Sequence, residues 1–183
     1  MAQPEPQAGG GEAQEARVTA RPIVMFPDWR LRESAAPVVA FDEALHQLAQ
    51  DLLQTMQAAP GIGIAAPHVG VLLRVVVIEL PGGTGPRFYV NPLVEWASAE
   101  TARHAEGSVS MPGVSEQVER PARVRVRFQT LEGVEGVEEA DGLLAVCLQH
   151  EIDQLDGLFW ISRLSRLKRE RVLRRYEKLR WTA

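Results

Sequence analysis

Gln149-His150-Glu151-Ile152-Asp153-Gln154 is the stretch on which the reading of this chain turns. A His-Glu-x-x-His run on a helix sets two imidazoles at i and i+4 on one face, where both can hold one metal ion. The Glu beside the first His then acts as general base on metal-bound water. Here the fifth place is Gln154, whose neutral amide oxygen is a far weaker ligand than imidazole. The segment names a metallohydrolase chemistry and withholds one of its ligands.

Around that segment Leu144, Cys147, Leu148, Ile152 and Leu155 recur at helical spacing and predict a helix over Gly142–Leu155. Upstream, Phe41, Leu45, Leu48, Leu52 and Met56 predict a first helix over about 42–58, capped by Asp42 and stopped by Pro60-Gly61. Strand candidates fall at 74–80, 87–96 and 122–131. In the last, Val124, Val126 and Phe128 alternate with Arg123, Arg125 and Arg127, as in a half-buried strand. A final amphipathic helix over about 164–180 carries Leu164, Leu167, Val172, Tyr176 and Leu179 on the face expected to pack against the body. Helix, strands, helix, helix predicts an α+β domain rather than alternating β-α-β units.

The 183 residues, 45% hydrophobic, suit one compact domain. Residues 1–17, rich in Pro, Gly, Gln and Glu, are expected to form a disordered tail, leaving 18–183 as the domain. A net charge of −4 excludes a nucleic-acid binder of uniformly basic surface. The average hides an asymmetry: residues 163–181 hold nine Lys and Arg against two Glu, so the rest of the chain carries −11. The single cysteine, Cys147, excludes an intrachain disulfide framework and fits a reducing compartment. No apolar run approaches the roughly 18–20 residues of a membrane span, and no signal-peptide pattern opens the chain. Cytoplasm is the expected location.

Two further segments complete the pattern. Gly61-Ile62-Gly63-Ile64-Ala65-Ala66-Pro67-His68-Val69-Gly70 has the small residues that let a backbone approach a ligand, although a tight turn before a strand would also explain it. Glu106-Gly107-Ser108-Val109-Ser110-Met111-Pro112-Gly113 alone would pass for a surface loop. In this order and spacing the three segments resemble the signature of the peptide deformylases: G-φ-G-φ-A-A-x-Q, then E-G-C-φ-S, then Q-H-E-φ-D-H. The resemblance runs from about residue 23 to 179, with Phe26-Pro27-Asp28-Trp29-Arg30-Leu31-Arg32 and Gly157-Leu158-Phe159 resembling its flanks. It implies a compact α+β domain in which the motif-bearing helix packs against antiparallel sheets. It also implies removal of the formyl group from the formyl-methionyl terminus of new proteins, with Fe²⁺ or a substitute metal, and contact with the ribosome through the basic C-terminal helix.

Carried over position by position, the family's metal ligands fall on Ser108, His150 and Gln154, so His150 alone keeps its ligand type. Cysteine serves because its thiolate is reachable near neutral pH, whereas a serine hydroxyl ionises at far greater cost. The glutamine that bonds the formyl oxygen in the family is His68 here, an imidazole of different reach. Glu151 remains as general base and Val109 as the backbone N–H aimed at the formyl oxygen. The side chains of Ser108 and Gln154 are expected to converge where the family holds its metal. Without that ion Glu151 faces water of pKa about 15.7 rather than about 7. Weak or absent standard activity follows.

The alternative is an active deformylase or related amide hydrolase with a rebuilt Fe²⁺ or Zn²⁺ site of His68, His150 and a carboxylate such as Asp153 or Glu151. A zincin with a distant third His fails, because no His follows His150. Glu106 and Arg120 are expected to form a loop-bracing ion pair, and Asp153 to pair on the helix face away from the site. His104 is expected in a solvated loop, His46 on polar surface and Cys147 in the core. Gly63 with Ile62 and Ile64 is assigned to substrate binding. With Val146 and Leu148 these isoleucines could line a methionine-sized pocket, and core packing explains them equally well.

Overall fold

The computed structural model describes residues 19–182, so the tail expected at 1–17 lies outside the described residues. Helix α1 covers Glu43–Ala58, and Asp42 caps it by accepting a hydrogen bond from the Leu45 N–H. Strands β1 (Gly63–Ala65), β2 (Val75–Ile78) and β3 (Arg87–Ala97) follow. Next come β4 (Thr101–Ser108), β5 (Met111–Pro121), β6 (Arg123–Gln129) and β7 (Glu135–Asp141). Helix α2 is Gly142–Leu155 and helix α3 is Arg166–Thr182. Five strands form one antiparallel sheet in the order β1-β2-β3-β6-β7, and β4-β5 is a separate hairpin. This is the α+β architecture the sequence pattern predicts.

Strand period two explains the layers. On β2, Val76 and Ile78 join the core beneath α2, while Val75 and Val77 join the core beneath α1. The two helices therefore sandwich this end of the sheet. The third cluster lies between β5, α3 and the N-terminal segment, where Met111, Val114 and Val118 meet Phe26, Trp160, Val172 and Tyr176.

Several expectations are corrected. The second motif, which alone would pass for a surface loop, forms the end of β4, its turn and the start of β5. His104 accordingly sits on β4 opposite Val118, in a strand rather than a loop. Strands β1, β4, β5 and β7 carry too few alternating apolar residues to announce themselves. On α3, Val172 and Tyr176 pack inward, but Leu167 is 78% exposed and Leu179 44% exposed. The helix touches the body through a narrower stripe than the five apolar residues suggested.

Candidate functional site

Helix α2 presents Leu143, Val146, Cys147, His150 and Glu151 along one stripe, at the spacing that aligns side chains on a helix. That stripe floors a pocket of about 570 Å³. One wall is residues 59–63, entering the edge strand β1; the other is the β4–β5 hairpin, contributing Ser108, Val109 and Met111 among others. All three sequence motifs thus meet at one cavity. Gly63 is required there by close approach, since a Cβ at that position would lie 2.7 Å from Glu151 Oε1.

Of the residues assigned to the substrate, Ile62 and Gly63 line the pocket together with Val146. Ile64 and Leu148 do not. Both are fully buried, Ile64 in the cluster under α1 and Leu148 in the core between α2 and the sheet. The reason for Ile64 is strand alternation: Gly63 and Ala65 turn toward α2, so Ile64 turns the other way. Cys147 is buried in the core and also reaches the pocket; burial, then the charges of Glu151 and Glu106, push its thiol up to about 12.

A buried ionic network braces the floor from behind. Arg120 on β5 donates through Nε and Nη2 to both oxygens of Glu106 on β4, at 2.6 and 2.9 Å, and through Nη1 to Asp153 on α2 at 2.7 Å. Asp153 also pairs with Arg163 and stays off the pocket. The Glu106–Arg120 pair therefore clamps a strand hairpin to α2 rather than bracing a loop. Glu106 has a second role that the sequence reading missed: its Oε2 accepts from His150 Nδ1 at 2.9 Å. A carboxylate only accepts, so this contact fixes the proton on Nδ1. Burial works against the charge of Glu106, but Arg120 and His150 overcome it and hold the carboxyl at about 2. Burial likewise opposes charge on His150, and is outweighed by Glu106 and Glu151, which raise its pKa.

Glu151 and His68 meet deeper in the pocket. His68 stands on a short 3-10 turn, Ala66–Val69, ended by Gly70 in the left-handed region at φ 79°. Its Nδ1 lies 2.7 Å from Ser110 Oγ and its Nε2 lies 3.8 Å from Glu151 Oε2. Burial, with the charge of His150, drops the His68 pKa to about 3, so the ring is neutral. Burial raises Glu151 to about 7, with His150 pulling the other way. Ser110, fully buried, is the other residue the sequence reading missed; its partner lies 42 positions away, beyond any local pattern.

The positions matching the family's metal ligands do not come together as expected. Ser108 and His150 line the pocket, and the Ser108 hydroxyl accepts from the Ser110 N–H at 3.2 Å. Gln154 is 1% exposed, does not line the pocket, and donates its amide to the Leu31 carbonyl at 2.9 Å. It is a strut between α2 and the 3-10 turn Trp29–Arg32. The rebuilt set is not assembled either: among the described residues no three His, Cys, Asp or Glu side chains are grouped so as to hold a metal ion. Asp153 is spent on two arginines, and His68 Nδ1 on Ser110. The donor set of one imidazole, one hydroxyl and a turned-away amide does not fit Fe²⁺ or Zn²⁺.

Comparison with known proteins identifies the family and the fold. A family model described as Polypeptide deformylase matches residues 20–170. The chain is 64% identical over 162 residues to a peptide deformylase-like protein of Brucella melitensis, covering 88% of this chain and 99% of that one. It is 45% identical over 161 residues to a peptide deformylase of Phenylobacterium zucineum, covering 86% and 95%. A crystal structure of a peptide deformylase from Legionella pneumophila matches with a TM-score of 0.85 at 38% identity, covering 90% of this chain and 97% of that one.

Proposed function

This chain belongs to the polypeptide deformylase family, and on that premise we propose that it is a deformylase-like protein that keeps a pocket for the formyl-methionyl terminus of a peptide but has weak or no standard deformylase activity. The observation that carries this reading is Gln154, whose amide is committed to Leu31 and held off the pocket. With Ser108 in the thiolate's place, two of three family ligand positions lack a strong donor. Metal sites with full ligand sets in small zinc peptides are worth roughly 10–16 kcal/mol, and loss of two donors forfeits much of any such figure. Glu151, held at about 7, is matched to general-base work at neutral pH. It nonetheless faces unactivated water, with pKa about 15.7.

The pocket supports binding better than it supports hydrolysis. Ile62, Leu143 and Val146 offer an apolar wall for a methionyl side chain, and Val109 stands at the hairpin turn beside the polar floor. The second part of the proposal is cytoplasmic work beside the ribosome, with the basic α3 as the docking element. Among the described residues no helix is long and apolar enough to cross a membrane.

Metal content decides the catalytic half. Protein prepared anaerobically with iron in excess is expected to hold well below one equivalent. Ser108→Cys combined with Gln154→His should restore both metal binding and deformylation of a formyl-methionyl peptide. Near-stoichiometric metal in the unmodified protein, lost on His68→Ala, would overturn the proposal in favour of a rebuilt site. A double variant that folds and still binds no metal would show that these positions are misassigned.

A further inference from the structure

We infer that a second copy of this chain docks, about a two-fold axis, on the half of the main sheet that no helix covers: the outer face of β3, β6 and β7. Helix α2 packs on all five strands from one side, whereas α1 packs on β1 and β2 from the other. Side chains of β3, β6 and β7 that point to the α1 side therefore meet no helix. The register identifies them. Leu93, Arg127 and Val137 form one row across the three strands, Trp96, Arg125 and Glu139 the next, and Arg123 with Asp141 follows. An antiparallel sheet can leave one face to water, and its outward positions are then polar. Here Leu93, Trp96 and Val137 are 46%, 49% and 59% exposed on adjacent rows.

The charges on this face select the partner. Arg125 donates to Glu139 at 2.6 and 3.0 Å, Arg127 donates to Glu95 at 2.8 Å, and Arg123 stands 3.7 Å from Glu100. With Glu135 and Asp141 the face sets three arginines against five carboxylates, a balance that repels the phosphates of a nucleic acid. Residues 1–18 offer little to cover it, since Met1 and Val18 are their only large apolar side chains. Pairing two copies through the free edge of β7 would set Glu135, Glu139 and Asp141 against the same acidic residues.

Laid face to face, the same charges are self-complementary. The arginines lie in a row on β6 and the carboxylates in a row on β7, in register as Arg123 with Asp141 and Arg125 with Glu139. A two-fold axis between these strands, and parallel to them, lays each row on the opposite row of the other copy. Arg125 then faces the partner's Glu139 as well as its own. Val137 faces the aliphatic stem of the partner's Arg127. Leu93 and Trp96 are carried past the partner's β7, over the edge that strand leaves unpaired. A recess of about 510 Å³ beside Trp96, lined by Arg123, Arg125, Glu139 and Asp141, gives the partner's long side chains room. Three strands at about 4.8 Å spacing make a patch at the small end of specific interfaces, so the association is on the order of micromolar.

The test is sedimentation velocity of the full chain from about 1 to 200 μM, across which monomer is expected to pass to dimer. Arg125 and Glu139 are both exposed, so reversing either charge leaves the fold intact, as thermal transitions will check. Arg125→Glu and Glu139→Arg should each weaken the dimer about 10-fold or more. An equimolar mixture of the two variants should associate as the parent does, because across the axis every glutamate then meets an arginine. A parent that stays monomeric to the top of the range overturns the inference, and so does a dimer indifferent to both reversals. If each variant fails to associate and the mixture fails too, the two-fold pairing is wrong. Growth beyond the dimer would equally rule out a closed two-fold contact. Dimerisation that appears only after residues 1–18 are removed would make that segment the occupant of the face and overturn the assignment to a second copy.

Discussion

Glu151, His68 and Glu106 line one pocket, and the fold shifts their protonation in opposite directions. The folded pKa of Glu151 is raised from 4.5 to about 7, so the folded state holds its proton more tightly than the unfolded chain. Its burial is therefore tolerated below pH 4.5 and becomes destabilising as pH rises through 7. Glu151→Gln is expected to stabilise the protein at pH 8 by on the order of 2 kcal/mol, and by much less at pH 5. Urea denaturation at the two pH values checks this; an equal change at both would refute the assignment. The other two groups act with the opposite sign. His68, lowered from 6.5 to about 3, contributes stability above 6.5 that is lost as pH falls toward 3. Glu106, lowered from 4.5 to about 2, contributes above 4.5 and loses it as pH falls toward 2.

Between elements, Arg120 and Glu106 together tie both strands of the β4–β5 hairpin to α2. Arg120 is 4% exposed and bonds Glu106 and Asp153 together. Replacing one member of a buried ionic group leaves the others uncompensated, at about 3–5 kcal/mol. Arg120→Met is expected to cost that much in chemical denaturation. Adding Glu106→Gln should recover part of it, since the stranded carboxylate is removed. A single variant within about 0.5 kcal/mol of the parent would mean that water or Arg163 replaces the clamp. The elements themselves were unevenly legible. On β6 the alternation of Val124 and Val126 with arginines gave the strand and its inward face correctly. The hairpin did not show itself, because β4 (Thr-Ala-Arg-His-Ala-Glu-Gly-Ser) packs few apolar side chains and is held by pairing with β5 and by Arg120.

For the molecule as a whole, the basic C-terminal segment is less free than its composition implies. Arg163 pairs with Asp153, Arg166 with Glu170, and Lys168 and Arg171 with Glu116. Arg169 donates to the carbonyls of Ile161, Ser162 and Leu164. Arg174 and Arg175 remain exposed on the outer face. Removing the helix would uncover Trp160 and Phe26, with which Val172 and Tyr176 cluster, so truncation confounds docking with folding. The cleaner test of ribosome association is Arg174→Ala with Arg175→Ala. Cosedimentation is expected to fall steeply with salt, and the double variant to weaken it with a shallower salt slope. Association indifferent to salt would count against the basic helix as the docking element.

Taken alone, the sequence determined the family-level fold, the three segments that meet at the pocket, and the weakness of the donors at Ser108 and Gln154. These are properties of residue types and of period, which a one-dimensional string carries. What only the tertiary structure decided is where those donors point and who holds them. Gln154 is drawn off by a carbonyl 123 residues away, His150 is oriented by Glu106 from another element, and His68 is matched to Ser110. Each of those contacts joins groups far apart in the chain, and a hydrogen bond is settled by distance and direction in space, which neither spacing nor composition records.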